Sequence, residues 1–181
     1  MKKFVLFLII FFFTFNAVGN DRKNELNRLF IELKKDIINS SSSIEKQIWN
    51  IWSTHPTNQK LTSMLEEGSQ LVQDQKLNKA ILIFTKTINA DPTWAEAWNK
   101  RATVYYMLGE FQKSQKDINK VLELEDRHFG ALAGQGLVNI QLKNYEKAIR
   151  SYQMAKEIYP AMRSPKIMIK QIQDIIKSQS I

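Results

Sequence analysis

One pattern returns every 34 residues through the C-terminal two-thirds of the chain, and that period limits the possible folds more than any other feature. Residues 61–94, 95–128 and 129–162 align in a single register. Position 4 is Met64, Trp98 and Leu132; position 11 is Leu71, Tyr105 and Asn139; position 17 is Leu77, Phe111 and Tyr145; position 24 is Phe84, Ile118 and Tyr152. Between them, position 8 is Gly68, Ala102 and Gly136, and position 20 is Ala80, Ser114 and Ala148. Small residues at 8 and 20 let two helix axes approach, and the large residues fill the space on either side. In the second copy the pattern predicts helix A over 95–108 and helix B over 112–124, joined across Gly109-Glu110-Phe111. One such hairpin cannot cover its own apolar face, so the copies must stack.

This order of large, small, large and small, with Pro92 and Pro160 as breakers at position 32, resembles the tetratricopeptide repeat. The resemblance implies an all-α fold: a short α-solenoid of three hairpins (61–94, 95–128, 129–162), which makes a binding surface and not an active site. Three positions depart from the pattern. Asn139 replaces a large apolar residue, Asp126 replaces the breaker, and Arg101 puts a charge at the usually apolar position 7. A core-facing charge needs a partner, and Asp117 on helix B of the same hairpin is the one in reach. Ala102 and Ala148 are expected to be buried where the helices meet.

The first residues suggest where such a protein works. Met1-Lys2-Lys3 precedes an apolar run over 4–15, then Asn16-Ala17-Val18-Gly19 with small residues three and one before Asn20. This reads as a signal peptide over 1–19, cleaved on export, because the apolar run falls short of the roughly 20 residues a membrane-spanning helix needs. The expectation is a periplasmic protein of a Gram-negative bacterium, without an integral membrane span after cleavage. With no Cys in the chain it can be neither a lipoprotein acylated on Cys nor stapled by disulfides.

The solenoid needs closing at both ends. Over 20–60, Leu26, Leu29, Phe30, Leu33 and Ile37 share one helix face, with Asp21 as its expected cap. After a run of serines, Ile44, Ile48, Ile51 and Trp52 share another, with Ser42 or Ser43 as cap and Trp49 alongside. The pair reads as an N-terminal helical hairpin covering the first repeat. Over 163–181, Ser164-Pro165 reads as a cap and first-turn pair for a helix over 165–177, whose Met168, Ile169, Ile172, Ile175 and Ile176 close the third repeat. The rival assignment of this basic segment, a membrane-surface helix, would leave that repeat bare.

Charge and inventory narrow the function. There are 26 Lys+Arg against 18 Asp+Glu; Lys2 and Lys3 leave with the leader and no acid does, so the remainder carries 24 against 18. The two signs are interspersed, and neither a nucleic-acid motif nor a long basic block occurs, so nucleic acid is not an expected partner. His55 and His128 are the only imidazoles, Cys is absent, and the glycines form no phosphate loop. No enzyme, cofactor or metal site is therefore expected. His128, at a repeat junction, reads as a hydrogen-bonding residue at a helix boundary rather than a general base.

A narrower resemblance lies in residues 97–106 and 122–132, with Trp49 and Trp52 in the preceding hairpin. These segments are similar to exported tetratricopeptide proteins of Gram-negative bacteria, especially alphaproteobacteria. The family implies that the A helices line a concave groove, which here would present Leu65, Ser69, Asn99, Lys100, Thr103, Tyr106, Met107, Leu137 and Gln141. The basic clamp by which cytosolic relatives grip a chaperone's C-terminal carboxylate is missing: Leu65, Ser69, Gly130 and Gly134 stand at four of its positions and only Lys100 is basic. The expected function is an exported, non-catalytic interaction module, a scaffold in the cell envelope that binds a peptide or protein segment in this groove. The alternative is a binding protein for a cell-wall or other envelope ligand, with an aromatic side chain stacked on a sugar.

Overall fold

The computed structural model describes residues 21–35 and 40–179; the expected signal peptide and Ile37 lie outside them. The described residues form helices joined by short turns, with no strand among them. Helix α1 covers residues 21–35. It is followed by α2 (Ser41–Ser53), α3 (Gln59–Gln73), α4 (Leu77–Ala90), α5 (Ala95–Met107), α6 (Phe111–Leu124), α7 (Phe129–Gln141), α8 (Tyr145–Ile158) and α9 (Arg163–Gln179). The pairs α3–α4, α5–α6 and α7–α8 are the three repeat hairpins, and each packs on the next.

The 34-residue period is visible in the backbone. Position 15 of each copy, Gln75, Gly109 and Lys143, has positive φ (58°, 75° and 59°). In each turn the following amide closes a bond back to position 11: Lys76 to Leu71, Glu110 to Tyr105 and Asn144 to Asn139 at 2.8–2.9 Å. This is one helix-ending motif used three times, and only the second copy has the glycine that suits it.

The small positions meet the large ones as the register requires. A Cβ on Gly68 would lie 2.4 Å from the Phe84 ring, and one on Gly136 would lie 2.5 Å from the Tyr152 ring. Ala80, Ala102 and Ala148 are buried, and the hydroxyl of Ser114 donates to the Ala102 carbonyl at 2.8 Å. The departures are compensated. The Arg101 guanidinium is bidentate on Asp117 (Nε–Oδ2 2.7 Å, Nη2–Oδ1 2.9 Å), and its Nη1 donates to Thr85 of the preceding repeat. Asn139 donates to Gln115 and to the Gln135 carbonyl, so a buried amide replaces an apolar side chain without an unpaired donor.

Three expectations need correction. The α1–α2 hairpin does not cap the first repeat; it lies along the edge where successive repeats join. Its Leu26, Leu29, Phe30, Leu33, Ile44, Ile48 and Trp52 form one core with Phe129 and Tyr159, from the second and third junctions. The reason is the location of free apolar surface: those junctions present aromatics that the stacked hairpins leave uncovered. Secondly, Ser40 occupies the cap position of α2, not Ser42 or Ser43, and Asp21 is already helical. Thirdly, α9 begins at Arg163, which places Ser164 and Pro165 in its first turn, where a proline's missing N–H is harmless. In α9, Ile172 is buried with Met168, Ile169 and Ile176 against α8 and α7, as a closing helix must be.

Candidate binding groove

The A helices α3, α5 and α7 face one side of the array, and α2 runs past the junctions that precede α5, α7 and α9. Each junction holds it by a different contact. At the first, the Trp94 indole N–H donates to the Trp52 carbonyl at 2.8 Å. At the second, the Trp52 ring stacks on the His128 imidazole, with centroids 4.0 Å apart and planes 7° from parallel. At the third, the Tyr159 hydroxyl donates to Glu45 at 3.0 Å. Arg127 adds a clamp to α1, with its guanidinium 4.4 Å over the Phe30 ring and a hydrogen bond to Asn27.

His128 is the centre of this arrangement. Its Nδ1 accepts from the Ala131 amide at 3.0 Å, capping α7. The ring proton therefore sits on Nε2, which donates to Glu96 Oε2 at 3.0 Å. Both side chains are 0% exposed. Glu96 also accepts from Asn99 Nδ2 at 3.0 Å, and its Oε1, which has no hydrogen bond, lies 3.3 Å from Lys100 Nζ. Burial alone would raise the Glu96 pKa; the hydrogen bond from His128, with Lys100 and Asn99, outweighs it and holds the carboxylate below its ordinary range. An imidazole beside a carboxylate can serve as a base where solvent reaches it, but this one is 0% exposed beneath Trp52 and Trp49. It acts as a structural pin.

His55 repeats the device at the first junction. Its Nδ1 accepts from the Asn58 amide at 3.0 Å, and Nε2 donates to Asp91 at 2.8 Å. Among the described residues no group of three or more His, Cys, Asp or Glu side chains could hold a metal ion.

Trp49 turns the groove into a pocket. It leans over Gly130, where a Cβ would lie 2.6 Å from the indole, and stands edge-on to Trp52, His128 and Phe129. Behind it lies a recess of about 370 Å³, whose polar lining includes Ser69, Gln73, Asn99, Lys100 and Thr103, with Trp49 and Val72 as apolar wall. Four of the expected groove residues, Ser69, Asn99, Lys100 and Thr103, therefore meet around one space. Leu65 does not join them: it is 2% exposed, buried in the core that α3 and α4 share with Trp94, Ala97 and Val104 of the next repeat. Tyr106 packs on Phe111, Met107 is exposed, Leu137 is half-buried and Gln141 is exposed; none of the four lines the recess.

His128 is the hydrogen-bonding residue at a helix boundary that its sequence position suggests; the burial of Glu96 beside it and the place of Trp49 over the groove are not legible in the repeat pattern. Gly130, small at a groove position two residues after His128, was the available signal for an inserted ring.

Comparison with known proteins agrees with this fold. The family profile described as tetratricopeptide repeat matches residues 95–128 and again 130–162. A TPR repeat-containing protein of Rhizobium etli is 33% identical over 144 residues, covering 78% of this chain and 70% of that protein. Hsp70-Hsp90 organizing protein 1 of Glycine max is 32% identical over 87 residues, 48% of this chain but 15% of that protein. Among solved structures, the first TPR of Spaghetti (RPAP3) bound to an HSP90 peptide superimposes with a TM-score of 0.64 at 24% identity, covering 66% of this chain and 94% of that one. MamA gives a TM-score of 0.61 at 20% identity, covering 75% and 82%. At these identities the two structures share the fold alone.

Proposed function

The chain belongs to the tetratricopeptide repeat family, and we propose that it is an exported, non-catalytic interaction module that holds a peptide or protein segment in the pocket between α3, α5 and Trp49. One observation carries this reading: polar side chains from two repeats, Ser69 and Gln73 with Asn99, Lys100 and Thr103, converge on a recess that also has an aromatic wall. Such a mixture suits an extended segment, whose backbone and one acidic or polar side chain would meet the polar groups while an apolar side chain lies against Trp49. Lys100 supplies the charge. Its side chain is 33% exposed and tethered to Glu96, so it is pre-oriented at little entropic cost. Work in the envelope as a scaffold rests on the leader-like residues 1–19.

The Lys100–Glu96 contact decides which variant tests this. Lys100→Glu would set a second carboxylate against a buried one and unsettle the fold. Lys100→Gln removes the charge and keeps a donor on a side chain one atom shorter. It should leave the protein folded, with a lowered melting temperature because Glu96 Oε1 loses its charged neighbour, while weakening capture of the partner from an envelope fraction about tenfold. Equal capture by both folded proteins would move the site elsewhere. Cell fractionation tests the compartment: mature protein of reduced mass in the periplasmic fraction is expected, and full-length protein in the cytosol would refute export.

A further inference from the structure

A second recess lies at the far end of the array, between the C-terminal end of α8 and the outward face of α9. It is about 740 Å³ and is lined by Lys156, Arg163, Lys166, Ile167, Lys170 and Asp174, with the 160–162 turn. Four cations thus face one carboxylate. None of the four forms an ion pair with a described residue, whereas Lys100, Arg101 and Lys120 are all paired. Ile167 is 54% exposed among them. Helical geometry accounts for this: α9 turns Met168, Ile169 and Ile172 toward α8, which leaves Lys166, Ile167 and Lys170 outside.

Cations gathered around an exposed aliphatic side chain repel one another and waste apolar area unless something covers both. We propose that this recess docks an acidic peptide segment of a partner protein, with its carboxylates on Lys156, Arg163, Lys166 and Lys170 and a large apolar side chain against Ile167. A second copy of the chain fits less well, because a protein with 24 Lys and Arg against 18 Asp and Glu after loss of the leader brings further cations to a cationic surface. A planar bilayer cannot enter a recess, and a small anion would leave Ile167 uncovered. The site is separate from the pocket at Lys100 and independent of the function proposed for that pocket.

The test uses the full chain and three short fluorescein-labelled peptides in anisotropy titrations: one rich in Glu with a central Phe-Leu pair, one with Lys in place of Glu, and one with Ser in place of Phe-Leu. The first should bind saturably, the second not at all, and the third several-fold more weakly. Binding of the first should fall with added salt. Lys166→Glu with Lys170→Glu should weaken it at least ~tenfold, and Ile167→Ser should reduce it without altering the salt dependence. All three substitutions are at exposed positions, so circular dichroism should be unchanged. Lys100→Gln should bind the first peptide like wild type. Absence of saturable binding, indifference to the Lys166/Lys170 pair, or loss in Lys100→Gln would each overturn the assignment. So would binding of phosphatidylglycerol vesicles that the Glu-rich peptide does not compete.

Discussion

The Trp52 ring lies flat on the His128 imidazole, 4.0 Å between centroids, and His128 in turn donates to the buried carboxylate of Glu96. This stack pins a helix from the start of the chain to the boundary between the second and third repeats. It also makes stability depend on pH with a definite sign. The Glu96 pKa is depressed below its ordinary value of 4.5 because His128, Lys100 and Asn99 outweigh the cost of burial. Its contribution is therefore fully present above about pH 4.5 and is lost as the pH falls through the depressed folded value. Glu96→Gln removes the titration. The stability gap between wild type and Glu96→Gln, from urea melts, should be constant from neutral pH to about 5 and shrink below 4.5. A gap unchanged down to about pH 3 would mean that Glu96 is not held as described.

Arg101 and Asp117 should behave as one unit. The pair is bidentate and mostly buried, with Asp117 side chain 4% exposed. Removing one partner strands the other, so Asp117→Ala should cost about 3–5 kcal/mol. Arg101→Leu together with Asp117→Leu should cost less than the sum of the single changes, giving a coupling of about 1–3 kcal/mol in a double-mutant cycle. Additive effects would show that the pair contributes little beyond its separate packing.

The close helix approaches set a steric limit. Ala102→Leu should overpack the α5–α6 contact and cost about 1–3 kcal/mol. Gly136→Ala should act similarly through the Tyr152 ring, which stands 2.5 Å from the new methyl position. Thermal melts of both variants that matched wild type would contradict the register.

The turns offer a gain. Gln75 and Lys143 adopt the conformation that Gly109 adopts in the middle copy. Gln75→Gly relieves a left-handed side chain that costs roughly 1–2 kcal/mol, against a loss of about 0.5–1 kcal/mol in unfolded-chain entropy. A rise in melting temperature is expected for Gln75→Gly, and a fall for Gly109→Ala. The opposite order would be inconsistent with the φ values.

The sequence alone determined the array. Because a helical hairpin repeated at one spacing can bury its apolar face only against its own copies, the period at Gly68, Ala102 and Gly136 carried the helix boundaries, the small-to-large contacts and even the Arg101–Asp117 pair. These are local or next-neighbour relations, and a 34-residue repeat encodes them directly. The path of the α1–α2 hairpin was not encoded in that way. Its amphipathic faces fixed two helices but not which apolar surface they would cover, and the choice depended on Phe129, Tyr159 and His128 coming together at junctions far apart in sequence. Only the tertiary structure could place Trp49 over Gly130, bury Glu96, and thereby close an open groove into a pocket around Lys100. Periodicity specifies what each residue faces within its repeat; it does not say which non-repeating segment finds the surface left over.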